Sequence, residues 1–115
     1  MLPKKNRVDR STLAFLLARK PLMVAQNDHI RMVVYKDVQH DHPRFCFIAP
    51  KKKYKHAVTR HLLKRRCSSS LEKGYGCFKK GYIYVFFFQS KVTPSQVTIR
   101  ASIDDLLMKI NKNTQ

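Results

Sequence analysis

Acidic residues are scarce in this chain. Its 115 residues include only seven Asp and Glu against 24 Lys and Arg, which gives a formal net charge of +17. A centre that holds two catalytic metal ions needs several carboxylates close together. The carboxylates here are scattered, and the adjacent pair Asp104 and Asp105 is expected on a helix surface. We therefore expect no metal-dependent nuclease centre on this chain.

Cysteines and long apolar runs are also few. Cys46, Cys67 and Cys77 are odd in number and lack C-x-x-C spacing, which argues against disulfides and a zinc ribbon and favours reduced cytoplasmic thiols. No stretch approaches the roughly 18 apolar residues of a membrane span. The run "LAFLLA" ends after six residues at Arg19, and no clear cleavage site follows. We expect a cytoplasmic protein that does not associate with membranes.

Local signatures of catalysis are missing as well. Serines and histidines occur, but none lies in a nucleophile elbow or a comparable motif, so the chain alone is not expected to catalyse a reaction. The cluster His40, Asp41 and His42 could seat a metal, yet no fourth ligand is evident and a solvated turn is the favoured interpretation. We therefore predict no metal site on the protein.

The length and patterning predict one α+β domain over residues 1–115, with a basic arm at 1–8. Apolar residues alternate in some segments and recur at helical spacing in others. The apolar run "YIYVFFF" is typical of a central strand buried on both faces. The predicted order is α-β-β-β-α-β-α, forming one four-stranded sheet with helices packed on it. In the first half of the chain we predict a helix from Asp9 or Ser11 to about Arg19, a hairpin over 21–38 and a strand "RFCFIA". In the second half we predict a helix from about His56 to Glu72, the strand "YIYVFFF", and a helix from a Thr93 cap to about Asn111.

The segment "KKKYKHAVTRHLLKRR", residues 51–66, carries eight Lys or Arg in sixteen positions and no carboxylate. A solvated helix face normally mixes both signs of charge. Charge of one sign favours a polyanion, and we predict a nucleic-acid surface. The predicted RNA-binding residues are Lys51, Lys52, Lys53, Lys55, Arg60, His61, Lys64, Arg65 and Arg66.

Aromatic residues could add stacking platforms for unpaired bases. Tyr54 lies inside the basic segment and is the first candidate. Phe15 and Tyr35 are further candidates, for which ordinary core packing is an equally good interpretation.

The opening "MLPKKNRV" and the stretch "RFCFIAPKKKYKHAVTRHLLKRR" resemble the bacterial ribonuclease P protein component. That family has a Leu-Pro-Lys arm, an Arg-Phe-Gly-Phe strand, a Lys-Lys loop, an Ala-Val helix start and an Arg-Asn-Arg triplet followed by Lys-Arg-Arg. The matching residues are Arg44, Phe45, Phe47, Lys51, Lys52, Ala57, Val58, Arg60, Lys64, Arg65 and Arg66. The departures are Cys46 for Gly, Pro50 for Ser, His61 for Asn, Leu62 for the second Arg, and Ser68 and Ser69 where Arg and Glu are usual.

The resemblance implies a function in which the chemistry belongs to a partner RNA. It implies that a catalytic RNA with Mg²⁺ removes the 5′ leader of precursor tRNA, and that the protein, as a monomer in the complex, binds that RNA and the leader. The basic helix would contact the catalytic RNA, with His61 or Arg65 compensating for the missing Arg. The leader would lie in a cleft formed by Phe15, Tyr35, Arg31 and Phe47. A left-handed strand-helix-strand crossover is implied as well, against the general preference for right-handed ones.

Two alternatives stay open from the sequence. A ribosomal-type structural RNA-binding protein would have the same charge, size and mixed fold. A cationic secreted or membrane-active protein would bind anionic vesicles and have a processed N-terminus.

Overall fold

The computed structural model describes residues 8, 10–36, 43–72, 81–90 and 93–113. The predicted order of helices and strands is confirmed. The basic arm up to residue 7, the cluster at 40–42 and Cys77 lie outside the described residues. The elements are α1 (Arg10–Leu17), β1 (Met23–Gln26), β2 (Ile30–Lys36), β3 (Arg44–Ile48), α2 (Ala57–Glu72), β4 (Tyr82–Phe88) and α3 (Gln96–Asn113).

The four strands form one mixed sheet in the order β1-β2-β4-β3. The strands β1, β2 and β4 are antiparallel neighbours, whereas β3 runs parallel to β4. Since α2 joins β3 to β4, these elements form a strand-helix-strand crossover. The hand of that crossover stays a prediction. β4 is a central strand, as its unbroken apolar sequence predicted.

The helices α2 and α3 cover one face of the sheet, called here the α2–α3 face. Alternation along the strands directs Met32, Val34, Phe45 and Phe86 to this side, because successive side chains of a strand point to opposite faces. They pack against apolar residues that recur every three or four positions along the two helices. The helix residues of this core are Leu63, Cys67, Leu71, Ile99, Ile103, Leu106, Leu107 and Ile110.

The opposite face, called here the α1 face, is covered only in part by the residues that the structure describes. Leu16 of α1 packs on a smaller cluster from the strands, with Val33 and Tyr35 of β2 among its members. A helix of eight residues is about 12 Å long, too short to shield four strands. Cys46, Ile48 and Phe87 are therefore left half-buried on this face.

Two valines lie on the exposed sides of their helices. Val58 and Val97 are 79% and 78% exposed. Val58 lies five residues before Leu63, which places it roughly 140° away around the helix at 3.6 residues per turn. Val97 lies two residues before Ile99, roughly 160° away.

The start of α3 differs from the prediction. Thr93 was expected to cap the helix, but α3 begins at Gln96. The cap is Ser95, whose Oγ accepts a hydrogen bond from the backbone N–H of Thr98 at 3.2 Å. The predicted cap therefore lies two residues before the observed one.

Candidate nucleic-acid interface

The structure presents the basic segment, residues 51–66, as one surface made of a loop and the first half of α2. Most of its predicted RNA-binding residues are exposed, while Arg60 and Arg66 are partly buried. The loop begins with a tight turn in which the backbone N–H groups of Lys53 and Tyr54 donate to the Pro50 carbonyl at 3.1 and 2.9 Å. This turn brings Lys51, Lys52 and Lys53 to the surface next to one another. The predicted RNA-binding residues that are exposed are Lys51, Lys52, Lys53, Lys55, His61, Lys64 and Arg65.

Arg60 ties the loop to the helix that follows it. Its Nη1 donates to the carbonyl of Tyr54 at 2.8 Å and to that of Lys55 at 3.1 Å. Both carbonyls lie just before the first residue of α2. A guanidinium has five N–H donors, so donors remain on Arg60 for phosphate oxygens.

Arg66 joins α2 to the segment that leads into α3. Its Nη1 donates to the Pro94 carbonyl at 2.6 Å in a partly buried position. Sequence analysis predicted Arg66 as an RNA contact and missed this intramolecular bond. No local signal in the sequence could have revealed it, because the partner lies 28 positions away.

Tyr54 was predicted as a stacking platform, and that prediction is wrong. Its side chain is only 4% exposed and belongs to the core of the α2–α3 face. Its hydroxyl donates to the Ser90 carbonyl at 2.7 Å. A ring in this position cannot offer a face to a base. The sequence did carry a signal, since Tyr54 is the one uncharged residue in "KKKYK".

The four residues predicted for the leader cleft do not all lie on one side of the sheet. Arg31 and Tyr35 alternate with the core residues of β2 and so belong to the α1 face, where Arg31 is exposed and Tyr35 is buried. Phe15 on α1 is 64% exposed, with the Arg19 guanidinium carbon 5.5 Å from its ring centroid. Phe47 lies on the opposite, α2–α3 face, stacked on Phe86 with 5.8 Å between centroids. Phe47 was predicted in the leader cleft, and it does not belong to the α1 face where the other residues of that cleft lie.

Cys46 is a half-buried residue of β3 that packs on the cluster under α1. Burial raises the pKa of the Cys46 thiol, and Lys64 and the backbone N–H of Phe47 offset part of that rise. Burial also raises the pKa of Cys67 well above its usual value.

Within the described ranges, no three His, Cys, Asp or Glu side chains come close enough together to bind a metal ion. Among the helices that the structure describes, none has the length and apolar character to cross a membrane.

Comparison with protein families adds a match over nearly the whole chain. The family model described as Ribonuclease P matches residues 2–111. A search of curated protein sequences finds no significant match.

Solved structures with the same fold include proteins from two bacteria. An RNase P protein mutant from Staphylococcus aureus, described as defective in mRNA degradation activity, superposes with a TM-score of 0.80 at 18% identity, covering 95% of this chain and 90% of that one. The RNase P protein from Thermotoga maritima gives a TM-score of 0.76 at 20% identity, covering 90% and 96%. The shared fold therefore extends over nearly the full length of both relatives.

Proposed function

Since this chain belongs to the ribonuclease P protein family, we propose that it is the protein subunit of a ribonucleoprotein that removes the 5′ leader of precursor tRNA. It binds the catalytic RNA through the basic segment and the leader through the α1 face. The observation that carries this proposal is the basic segment itself, which exposes cations of one sign on an ordered loop and helix.

The basic segment suits a folded RNA because phosphate contacts supply most of the affinity in such complexes. Arg65 offers a planar fork that matches phosphate oxygens, and the loop lysines act as mobile point charges. Lys51, Lys52 and Arg65 are exposed, and no described residue forms a hydrogen bond or ion pair with their side chains. They are therefore available to a ligand without breaking an internal bond to a described residue.

The α1 face suits a single strand. It combines the exposed ring of Phe15 with the cations Arg19 and Arg31. Proteins usually bind unpaired nucleotides by stacking a base on an aromatic ring and by attracting the nucleic-acid backbone to nearby cations.

The cleavage chemistry is assigned to the partner RNA together with Mg²⁺, which that RNA would mainly hold. The protein contributes binding and positive charge: seven carboxylates against 24 cations make the chain suited to neutralising phosphates. We further propose that one copy acts in each complex and that the protein works in the cytoplasm.

Reconstitution tests the proposal. Added to a bacterial ribonuclease P RNA at low Mg²⁺, the protein should restore removal of the leader from precursor tRNA, and its affinity for that RNA should fall steeply with salt. Arg65→Gln should reduce both effects, whereas Arg100→Gln, which removes one exposed cation from α3, should reduce them much less.

Three outcomes would count against the proposal. Tight RNA binding without any gain in cleavage would favour a structural RNA-binding protein of the ribosomal kind. Cleavage by the protein without RNA would move the chemistry onto this chain. Equal loss with Arg65→Gln and Arg100→Gln would show that the basic segment has no special role.

A further inference from the structure

Three side chains of the basic segment reach the connection between β4 and α3. Lys53 Nζ donates to the Gln89 carbonyl at 2.6 Å, the Tyr54 hydroxyl to the Ser90 carbonyl at 2.7 Å, and Arg66 to the Pro94 carbonyl at 2.6 Å. The connection thus accepts hydrogen bonds from both the loop and the helix of the basic segment.

Among these three bonds, the one from Tyr54 is buried. The Tyr54 ring packs in the core of the α2–α3 face, and Ser90 is itself 7% exposed. A buried hydroxyl or carbonyl without a partner is unfavourable, so this bond specifies one position for Tyr54. Lys53 lies in solvent, where water competes for its ammonium.

The acceptor side is anchored as well. The Gln89 backbone N–H donates to the His29 carbonyl at 2.9 Å, and its side-chain amide donates to the Asn27 carbonyl at 2.5 Å. Asn27 Nδ2 in turn donates to the Ser102 carbonyl in α3 at 3.1 Å. The beginning of the β4–α3 connection is therefore fixed to the β1–β2 turn, which is itself bonded to α3, and it gives the loop a fixed support.

We infer that Tyr54 is a positioning residue for the RNA-binding surface. Its hydroxyl fixes the loop on the β4–α3 connection, so that Lys51 and Lys52 are presented beside α2 before any RNA binds. This inference rests on the proposed function for its effect on RNA, but the attachment of the loop is a property of the free protein. A preordered loop avoids the entropic cost of ordering its lysines on binding.

The first test uses the free protein and does not depend on RNA. Tyr54→Phe removes the hydroxyl and keeps the ring, whereas Tyr82→Phe is the matched control, since Tyr82 is half-buried and its hydroxyl bonds to no described residue. In limited proteolysis with a lysine-specific protease, Tyr54→Phe should speed cleavage after Lys51–Lys53 by about tenfold, as expected when local opening of the loop loses one hydrogen bond. Near-native circular dichroism should be retained. The Tyr82→Phe variant should be cut at the wild-type rate.

The second test measures RNA binding as a function of salt. The pair Lys51→Gln with Lys52→Gln should weaken binding of ribonuclease P RNA in the wild-type background and have a clearly smaller effect in the Tyr54→Phe background. The slope of log affinity against log salt should fall in Tyr54→Phe, because fewer phosphates are neutralised.

The results distinguish failure of the proposed function from failure of the positioning role of Tyr54. If the wild-type protein does not bind the RNA, the proposed function fails, while faster cleavage of the loop in Tyr54→Phe would still support the attachment. If Tyr54→Phe only lowers the melting temperature, with loop cleavage and salt slope unchanged, the positioning role is wrong. Should Tyr54→Phe fail to fold, the wild-type protein provides the test: the Lys53 and Tyr54 backbone N–H groups, which donate to the Pro50 carbonyl, should be protected from exchange with solvent if the loop is fixed. Exchange at the rate of an unfolded peptide would overturn the inference.

Discussion

Neighbouring arginines on α2 have different surroundings. Arg65 is exposed and forms no bond with a described side chain or carbonyl, whereas Arg66 donates to the Pro94 carbonyl. Arg65→Ala should leave the free energy of unfolding within about 0.5 kcal/mol of wild type. Arg66→Ala should lower it by roughly 1 kcal/mol, because the Pro94 carbonyl loses its donor.

Urea denaturation measures the stability of both variants, and RNA titration measures their affinity. Both variants should bind RNA more weakly, since each loses a cation of the basic segment. An Arg65→Ala variant with unchanged affinity would contradict the suggestion that Arg65 compensates for the missing arginine of the family triplet.

Leu62 stands where the family usually has that arginine, and it is half-exposed. Leu62→Arg should therefore strengthen RNA binding, and the salt slope should become steeper by about 0.7–0.9 if one more phosphate is neutralised. Leu62→Gln is the control for polarity without charge and should leave the slope unchanged. Equal slopes for the two variants would show that position 62 does not face the RNA.

At the scale of elements, the helix α2 has one buried apolar side and one exposed charged side. Leu63 is fully buried under the sheet, and Leu63→Ala should lower the free energy of unfolding by about 2–5 kcal/mol. Val58→Ala, on the exposed side of the same helix, should change it by less than about 0.5 kcal/mol. Thermal or urea unfolding distinguishes the two, and a large loss in Val58→Ala would mean that its side chain is covered.

The contact between α3 and the β1–β2 turn should depend on pH. Asn27 Nδ2 donates to Asp105 Oδ2 at 3.3 Å, and Lys109 lies 3.3 Å from the same oxygen. Both contacts lower the pKa of Asp105 from its ordinary 3.8. The carboxylate therefore favours the folded state above that pH, and its contribution is lost as pH falls through the lower, folded pKa.

Melting temperatures between pH 2 and 6 test this dependence. Acid lowers the melting temperature, and the part of that decrease caused by protonation of Asp105 should disappear in the Asp105→Asn variant. An identical pH profile in the variant would show that the hydrogen bond and ion pair add nothing to stability, as is common for exposed ion pairs.

At the scale of the whole molecule, a charge of +17 lies within a radius of gyration of 13.3 Å. Self-repulsion of this charge opposes the compact state. The Debye length is about 30 Å at 0.01 M salt and about 10 Å at 0.1 M, so screening within the molecule begins in that range. The melting temperature should rise as NaCl is increased from 0.01 to about 0.3 M.

A variant with Lys51, Lys52 and Lys55 replaced by glutamine is the control for this effect. It should begin from a higher melting temperature at low salt and gain less from added NaCl. A melting temperature independent of salt in both proteins would mean that charge repulsion is unimportant to folding.

The amino-acid sequence by itself determined the order of the elements, the central place of β4 and the one-sided charge of the basic segment. These features depend on local periodicity and composition, which are visible along the chain. Strand alternation placed Val33 and Tyr35 on the opposite face from Met32 and Val34, and "YIYVFFF" indicated a central strand. The family motif supplied the expectation of an RNA partner.

Only the tertiary structure decided which members of the basic segment also bind their own chain. Tyr54 and Arg66 looked alike as candidates for contact with RNA, but each bonds to a segment 36 or 28 positions away, and such a bond depends on how the helices dock on the sheet. The same holds for Phe47, whose alternation with Cys46 was clear while the identity of the covering helices was not. Local pattern specifies the side of an element, and long-range packing specifies what lies against it.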